Sequence, residues 1–76
     1  MSTEKIDRRE KLDKRFGVVA VESGFVTPEQ LYEALKTQVM EELEGAKRRL
    51  IGQILFKMGY ITKAQVDEVL LYMGIK

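Results

Sequence analysis

RFGVVAVESGFVTPEQLYEALKTQ, residues 15–38, lines up without a gap on LIGQILFKMGYITKAQVDEVLLYM, residues 50–73, at the 35-residue offset that separates Gly17 from Gly52. The offset also carries Gly24 onto Gly59, Thr27 onto Thr62, Gln30 onto Gln65, Glu33 onto Glu68 and Leu35 onto Leu70, and places Phe25 and Val26 on Tyr60 and Ile61. The chain is therefore one unit written twice. A unit this short cannot bury its apolar side alone, so each half is expected to pack on the other or on another copy of the chain.

Local chemistry reads each unit as a helical hairpin. Thr27-Pro28-Glu29-Gln30 is a helix start: Thr27 stands as N-cap, Pro28 at the first helical position where its missing N–H costs nothing, and Gln30 where it closes a capping box. Thr62-Lys63-Ala64-Gln65 repeats the pattern, with Val26 and Ile61 placed to staple onto Leu31 and Val66. Upstream of each start, Gly24 and Gly59 are placed to end the preceding helix in a left-handed conformation. Val18-Val19-Ala20-Val21 alone could be a strand. Its partner segment, with Ile51, Leu55 and Met58 at helical spacing, argues for a helix in both copies. The expectation is an all-α fold of two tandem helical hairpins, with helices near 10–23, 27–43, 46–58 and 62–73. Leu31, Leu35 and Val39 are expected on the buried face of the second, and Val66, Val69, Leu70 and Met73 on that of the fourth. Residues 1–10 are expected to be a flexible charged lead-in, and 11–76 one domain made of the two repeats, with Gly45 marking the joint.

Composition narrows the function. Hydrophobic residues at 45% and charged residues at 33% are a globular balance. The absence of cysteine and histidine removes disulfides, thiolate or imidazole metal sites, a cysteine nucleophile and a histidine base. A net charge of +1 supplies no field for nucleic acid. There is neither a signal peptide nor a run of roughly 20 apolar residues to cross a bilayer, which reads as cytoplasmic with no membrane insertion. Glu41, Glu42 and Glu44 have no base partner and no metal-ligand spacing, and no residue set looks catalytic. No Walker-type G-x-x-x-x-G-K-[ST] occurs, so this is not an ATPase in itself.

The first copy matches the pattern R-[LF]-G-x-x-[LVI]-[LVI]-x-x-G-[LVI]-[LVI]-x-x-x-x-L-x-x-x-L-x-x-Q through Arg15, Phe16, Gly17, Val21, Gly24, Val26, Leu31, Leu35 and Gln38, with Ala20 and Phe25 as looser fits. In this it resembles the MshEN-type domain at the N-terminus of type II secretion and type IV pilus assembly ATPases. The resemblance covers residues 15–73. It implies a small helical domain of two motif copies, a protein partner from secretion or pilus machinery, and no cofactor other than a possible ligand, cyclic di-GMP. It also implies a nucleotide-binding set: those nine residues of the first copy with Gly52, Leu55, Gly59 and Ile61 of the second. The second copy departs from the pattern at both polar ends, Leu50 standing for the Arg and Met73 for the Gln.

Each candidate also has a plainer reading. Gly24 and Gly59 can simply cap helices. Gly17 and Gly52, inside expected helices, can admit a packed neighbour as readily as a nucleotide. Arg15 lies in a mixed charge run whose ordinary role is a solvated face, and Gln38 can be an exposed polar position. Lys47, Arg48 and Arg49 are expected at the start of the third helix, against its dipole. The favoured expectation is a non-enzymatic binding or regulatory module that docks a partner protein and holds cyclic di-GMP through its first copy. Against it stand a purely structural interaction domain without a small ligand, and a helix-turn-helix nucleic-acid binder using Lys47, Arg48 and Arg49. The near-zero net charge and the few basic residues on the helices that would enter a groove count against the last. A homodimer that brings two first copies together would supply the missing polar ends.

Overall fold

The computed structural model describes residues 8–74 and forms four helices from them: α1 (Arg8–Glu22), α2 (Pro28–Leu43), α3 (Ile51–Lys57) and α4 (Lys63–Tyr72). Among the described residues there is no strand, and the fold is the all-α pair of tandem hairpins. The expected flexible lead-in lies outside the described residues as far as residue 7, and α1 begins at Arg8.

The repeat is reproduced bond for bond at the turns. The Gly24 N–H donates to the Val21 carbonyl and the Phe25 N–H to that of Ala20, at 2.9 and 3.0 Å. Gly59 to Phe56 and Tyr60 to Leu55 do the same in the second copy, at 3.0 and 3.0 Å. Both are Schellman closures, which need a left-handed residue after the helix, and Gly24 and Gly59 supply it with φ of +81° and +82°. Thr27 and Thr62 then cap α2 and α4, each side-chain oxygen accepting from the Gln N–H three residues on while that Gln side chain accepts from the Thr N–H. Gly24→Ala and Gly59→Ala are each expected to cost about 1–2 kcal/mol, the penalty for a Cβ in the left-handed region. Equal losses in chemical denaturation would show that the two turns do equivalent work.

Between the copies the structure departs from the expected pattern. α3 begins at Ile51 rather than near residue 46, and residues 46–50 are a connection. α2 continues to Leu43, well past the equivalent of the end of α4, and closes on Gly45 at φ +80°. The chain must then return along α2 before α3 can start. Leu50 is extended and serves as N-cap, and its own N–H donates to Gln53 Oε1. Lys47, Arg48 and Arg49 thus precede the helix instead of opposing its dipole. Arg49 forms a forked pair with Glu41, at 3.1 and 2.6 Å, and Arg48 Nε lies 3.4 Å from Glu42.

The core draws on both copies: Phe16, Ala20, Val26 and Ala34 with Ile51, Ile54, Leu55, Ile61 and Val69. α2 packs on α3, and α1 on α4, so each second helix covers the first helix of the other copy. Asp13 and Arg48 occupy equivalent positions under the repeat offset and lie 3.6 Å from one another. α2 is turned from its expected face. It buries Ala34 and Gln38, leaving Leu35 and Val39 exposed. Small Ala34 lets α2 approach α3 closely, and the Gln38 amide finds partners inside. Among the described residues no helix is long and apolar enough to cross a membrane.

Candidate functional site

Asp13 lies on the buried face of α1 with Phe16, Gly17 and Ala20, at the i, i+3, i+4, i+7 spacing of a core stripe. It is 7% exposed, as is Gln38. Its Oδ1 accepts from the Ile51 N–H at 2.7 Å, and its Oδ2 from Gln38 Nε2 at 2.8 Å. Gln38 Nε2 also donates to the Arg49 carbonyl at 2.8 Å. One carboxylate therefore ties α1 to α2 and satisfies an N–H that the first turn of α3 would otherwise leave unpaired. Sequence reasoning passed over Asp13 as one charge in a polar run, although its spacing to Phe16 and Ala20 marks the buried face. Gln38 is not an exposed polar position, because its side chain is drawn inward to Asp13.

These bonds bear directly on the residues expected at a nucleotide site. Arg15 is exposed and has no ion pair among the described residues. It stands two residues from Asp13, about 200° around the helix, so it points away from the carboxylate that holds Gln38. Phe16, Val26, Leu55 and Ile61 belong to the buried core, and Val21 and Leu31 pack against it. Leu35 is exposed, and Gly24 and Gly59 have nothing within 4 Å of where a Cβ would stand. At Gly17 an added Cβ would meet Leu31 Cδ1 at 2.8 Å, and at Gly52 the Phe16 ring at 2.9 Å. Both glycines thus admit a neighbouring side chain within the fold.

An apolar concavity lies elsewhere. A groove of about 440 Å³ runs between α1, α3 and α4, lined chiefly by Leu12, Phe16, Leu50, Phe56, Leu70 and Met73, with Val66 beneath and Lys63 and Asp67 at its edge. Leu12, Leu50 and Phe56 remain half-exposed there. The groove is the second copy's version of the surface expected to bind nucleotide: Leu50, Gly52, Phe56, Val66, Leu70 and Met73 are the counterparts of Arg15, Gly17, Val21, Leu31, Leu35 and Gln38. The two positions where the second copy lost its polar ends, Leu50 and Met73, both line it. In the first copy Arg15 is exposed and Gln38 is buried, whereas Leu50 and Met73 both give the groove apolar lining. In the first copy Leu31 covers Gly17, whereas the shorter Val66 stands in that place in the second.

One polar link crosses the copies at the surface. The Tyr60 hydroxyl donates to Glu33 Oε1 at 2.7 Å. That hydrogen bond, then burial, then the Glu33 charge raise the Tyr60 pKa above the usual tyrosine value. The bond's contribution is present below the ordinary tyrosine pKa and is lost as pH rises through the raised one. Ultraviolet titration of the tyrosines is expected to show a late ionisation that Glu33→Ala moves down. Nearer the end of α2, Arg49 holds the Glu41 carboxyl below its ordinary range, chiefly by hydrogen bonding.

Comparison with protein-family models, curated proteins and solved structures finds no match to this chain.

Proposed function

We propose that this chain is a non-enzymatic docking module whose second copy receives an apolar element of a partner protein in the groove between α1, α3 and α4. The observation that carries the reading is the pair Leu50 and Met73: the groove is apolar where the repeat would place an arginine and a glutamine. Side chains half-exposed along an open groove are suited to being covered from outside by a protein element. The resemblance to secretion and pilus ATPase N-terminal domains suggests a partner from such machinery.

Cyclic di-GMP at the first copy is the second reading. It is supported by Arg15, which is exposed and unpaired among the described residues and could take a phosphate through its planar fork. It is weakened by Gln38, whose amide is engaged by Asp13 and the Arg49 carbonyl.

A photo-reactive phenylalanine analogue placed at Phe56, with Glu22 as control position, tests the docking reading in the cells the chain comes from. The expected result is one discrete adduct from Phe56, identified by mass spectrometry, which Leu50→Asp abolishes. The same adducts from Glu22, or none from Phe56, would contradict it.

A further inference from the structure

The groove is matched by a second unpartnered apolar surface on the same molecule. Tyr32, Leu35, Val39 and Leu43 fall within about 80° of one another around α2, a stripe about 16 Å long. Leu43 is 78% exposed and Tyr32 67%. The stripe cannot fill the groove of its own chain, because α2 packs on α1 and α3 but makes no contact with α4, which forms one wall of the groove.

Charge decides whether the two surfaces suit each other, and in which direction. Lys63 and Asp67 stand one turn apart at the groove edge, and neither has an ion-pair partner among the described residues. Glu29 and Lys36 follow one flank of the stripe, within about 40° of its edge, and are likewise unpaired among the described residues. With α2 of one chain parallel to α4 of another, Glu29 comes towards Lys63 and Lys36 towards Asp67. Reversing α2 with the stripe still facing the groove would carry Glu29 and Lys36 to the opposite wall, away from Lys63 and Asp67.

We propose that the α2 stripe of one chain docks in the groove of a second copy, head to tail, with α2 parallel to α4. This rests on reading the groove as a protein-docking surface. The contact joins two different surfaces, so it is heterologous and builds rings or open chains rather than stopping at a symmetric dimer. Self-association and partner docking then compete for one groove.

Two double variants test this by sedimentation. Val39→Glu with Leu43→Glu blocks the stripe and leaves the groove intact. Leu50→Glu with Phe56→Glu blocks the groove and leaves the stripe intact. All four side chains are substantially exposed, and circular dichroism checks that each variant is folded. Between about 10 μM and about 1 mM, the range in which weak contacts are read, the unmodified chain is expected to gain mass continuously. Each variant alone stays at monomer mass. Their equimolar mixture forms a complex of twice the monomer mass and goes no further, since only one stripe and one groove remain.

Three results would overturn the proposal: an unmodified chain at monomer mass throughout, a groove variant that still self-associates through α2 alone, or a mixture that forms no complex. A monomeric chain that still cross-links to a partner at Phe56 sinks self-docking and leaves the docking module standing. Loss of both removes the shared reading of the groove.

Discussion

Asp13→Ala is expected to destabilise the domain by about 3 kcal/mol, because leaving buried donors without an acceptor costs roughly 1–3 kcal/mol each. The Ile51 N–H and one Gln38 hydrogen lose their acceptor at once. In a domain of this size each kcal/mol moves Tm by roughly 4–8 °C, so the midpoint should fall by about 12–24 °C. Asp13→Asn distinguishes the bonds from the bulk of the side chain. An asparagine keeps one acceptor for Ile51 but turns an NH₂ towards Gln38 Nε2, donor against donor. It should lose less than alanine and still be clearly destabilised. A double-mutant cycle with Gln38→Ala should show coupling well beyond the roughly 0.3–0.5 kcal/mol scatter of independent sites. A loss under 1 kcal/mol for Asp13→Ala would mean that the carboxylate is not what fastens the copies together.

Ile54→Ala, the second large effect, is expected to cost about 2–5 kcal/mol, the range for truncating a buried aliphatic side chain. Ile54 is fully buried in a core to which both copies contribute. Because each second helix covers the first helix of the other copy, damage in the second copy should reach the first. Denaturant unfolding should remain one transition with a lowered midpoint. Amide exchange at Ala20 and Ala34 should accelerate along with that at Leu55 and Val69. Two separate transitions, with the first copy still protected, would show that the hairpins fold independently.

What the sequence made legible follows the range of the interactions. Each turn is decided within about six residues: a glycine that can hold positive φ, then Thr, then Gln three positions on, is enough to fix the closure and cap of both hairpins. The repeat also settled Val18–Val21 as helix against its local β-branched preference. The buried face of α2 was not legible, because Leu31-Leu35-Val39 and Leu31-Ala34-Gln38 satisfy helical spacing equally well. Only the approach of α3 and the partners Asp13 and Arg49 choose between them. Asp13 meets Ile51 across 38 residues of chain, a separation no local pattern reports. The groove was half legible: the residues singled out in the first copy are the counterparts of those that line it. The loss of arginine and glutamine at Leu50 and Met73 marked where the surface had changed character. That Leu31 covers Gly17, while the second copy opens between Val66 and Phe16, depends on packing between the copies.

The most direct measurement is a map of backbone amide shifts in the labelled chain, titrated with an apolar anilinonaphthalene dye and, separately, with cyclic di-GMP at millimolar concentration. The docking account predicts saturable dye shifts confined to Gly52, Phe56, Val66, Leu70 and Met73, and no movement with the nucleotide. Unmoved groove amides, or saturable cyclic di-GMP shifts centred on Arg15, Gly17, Gly24 and Gln38, would contradict it.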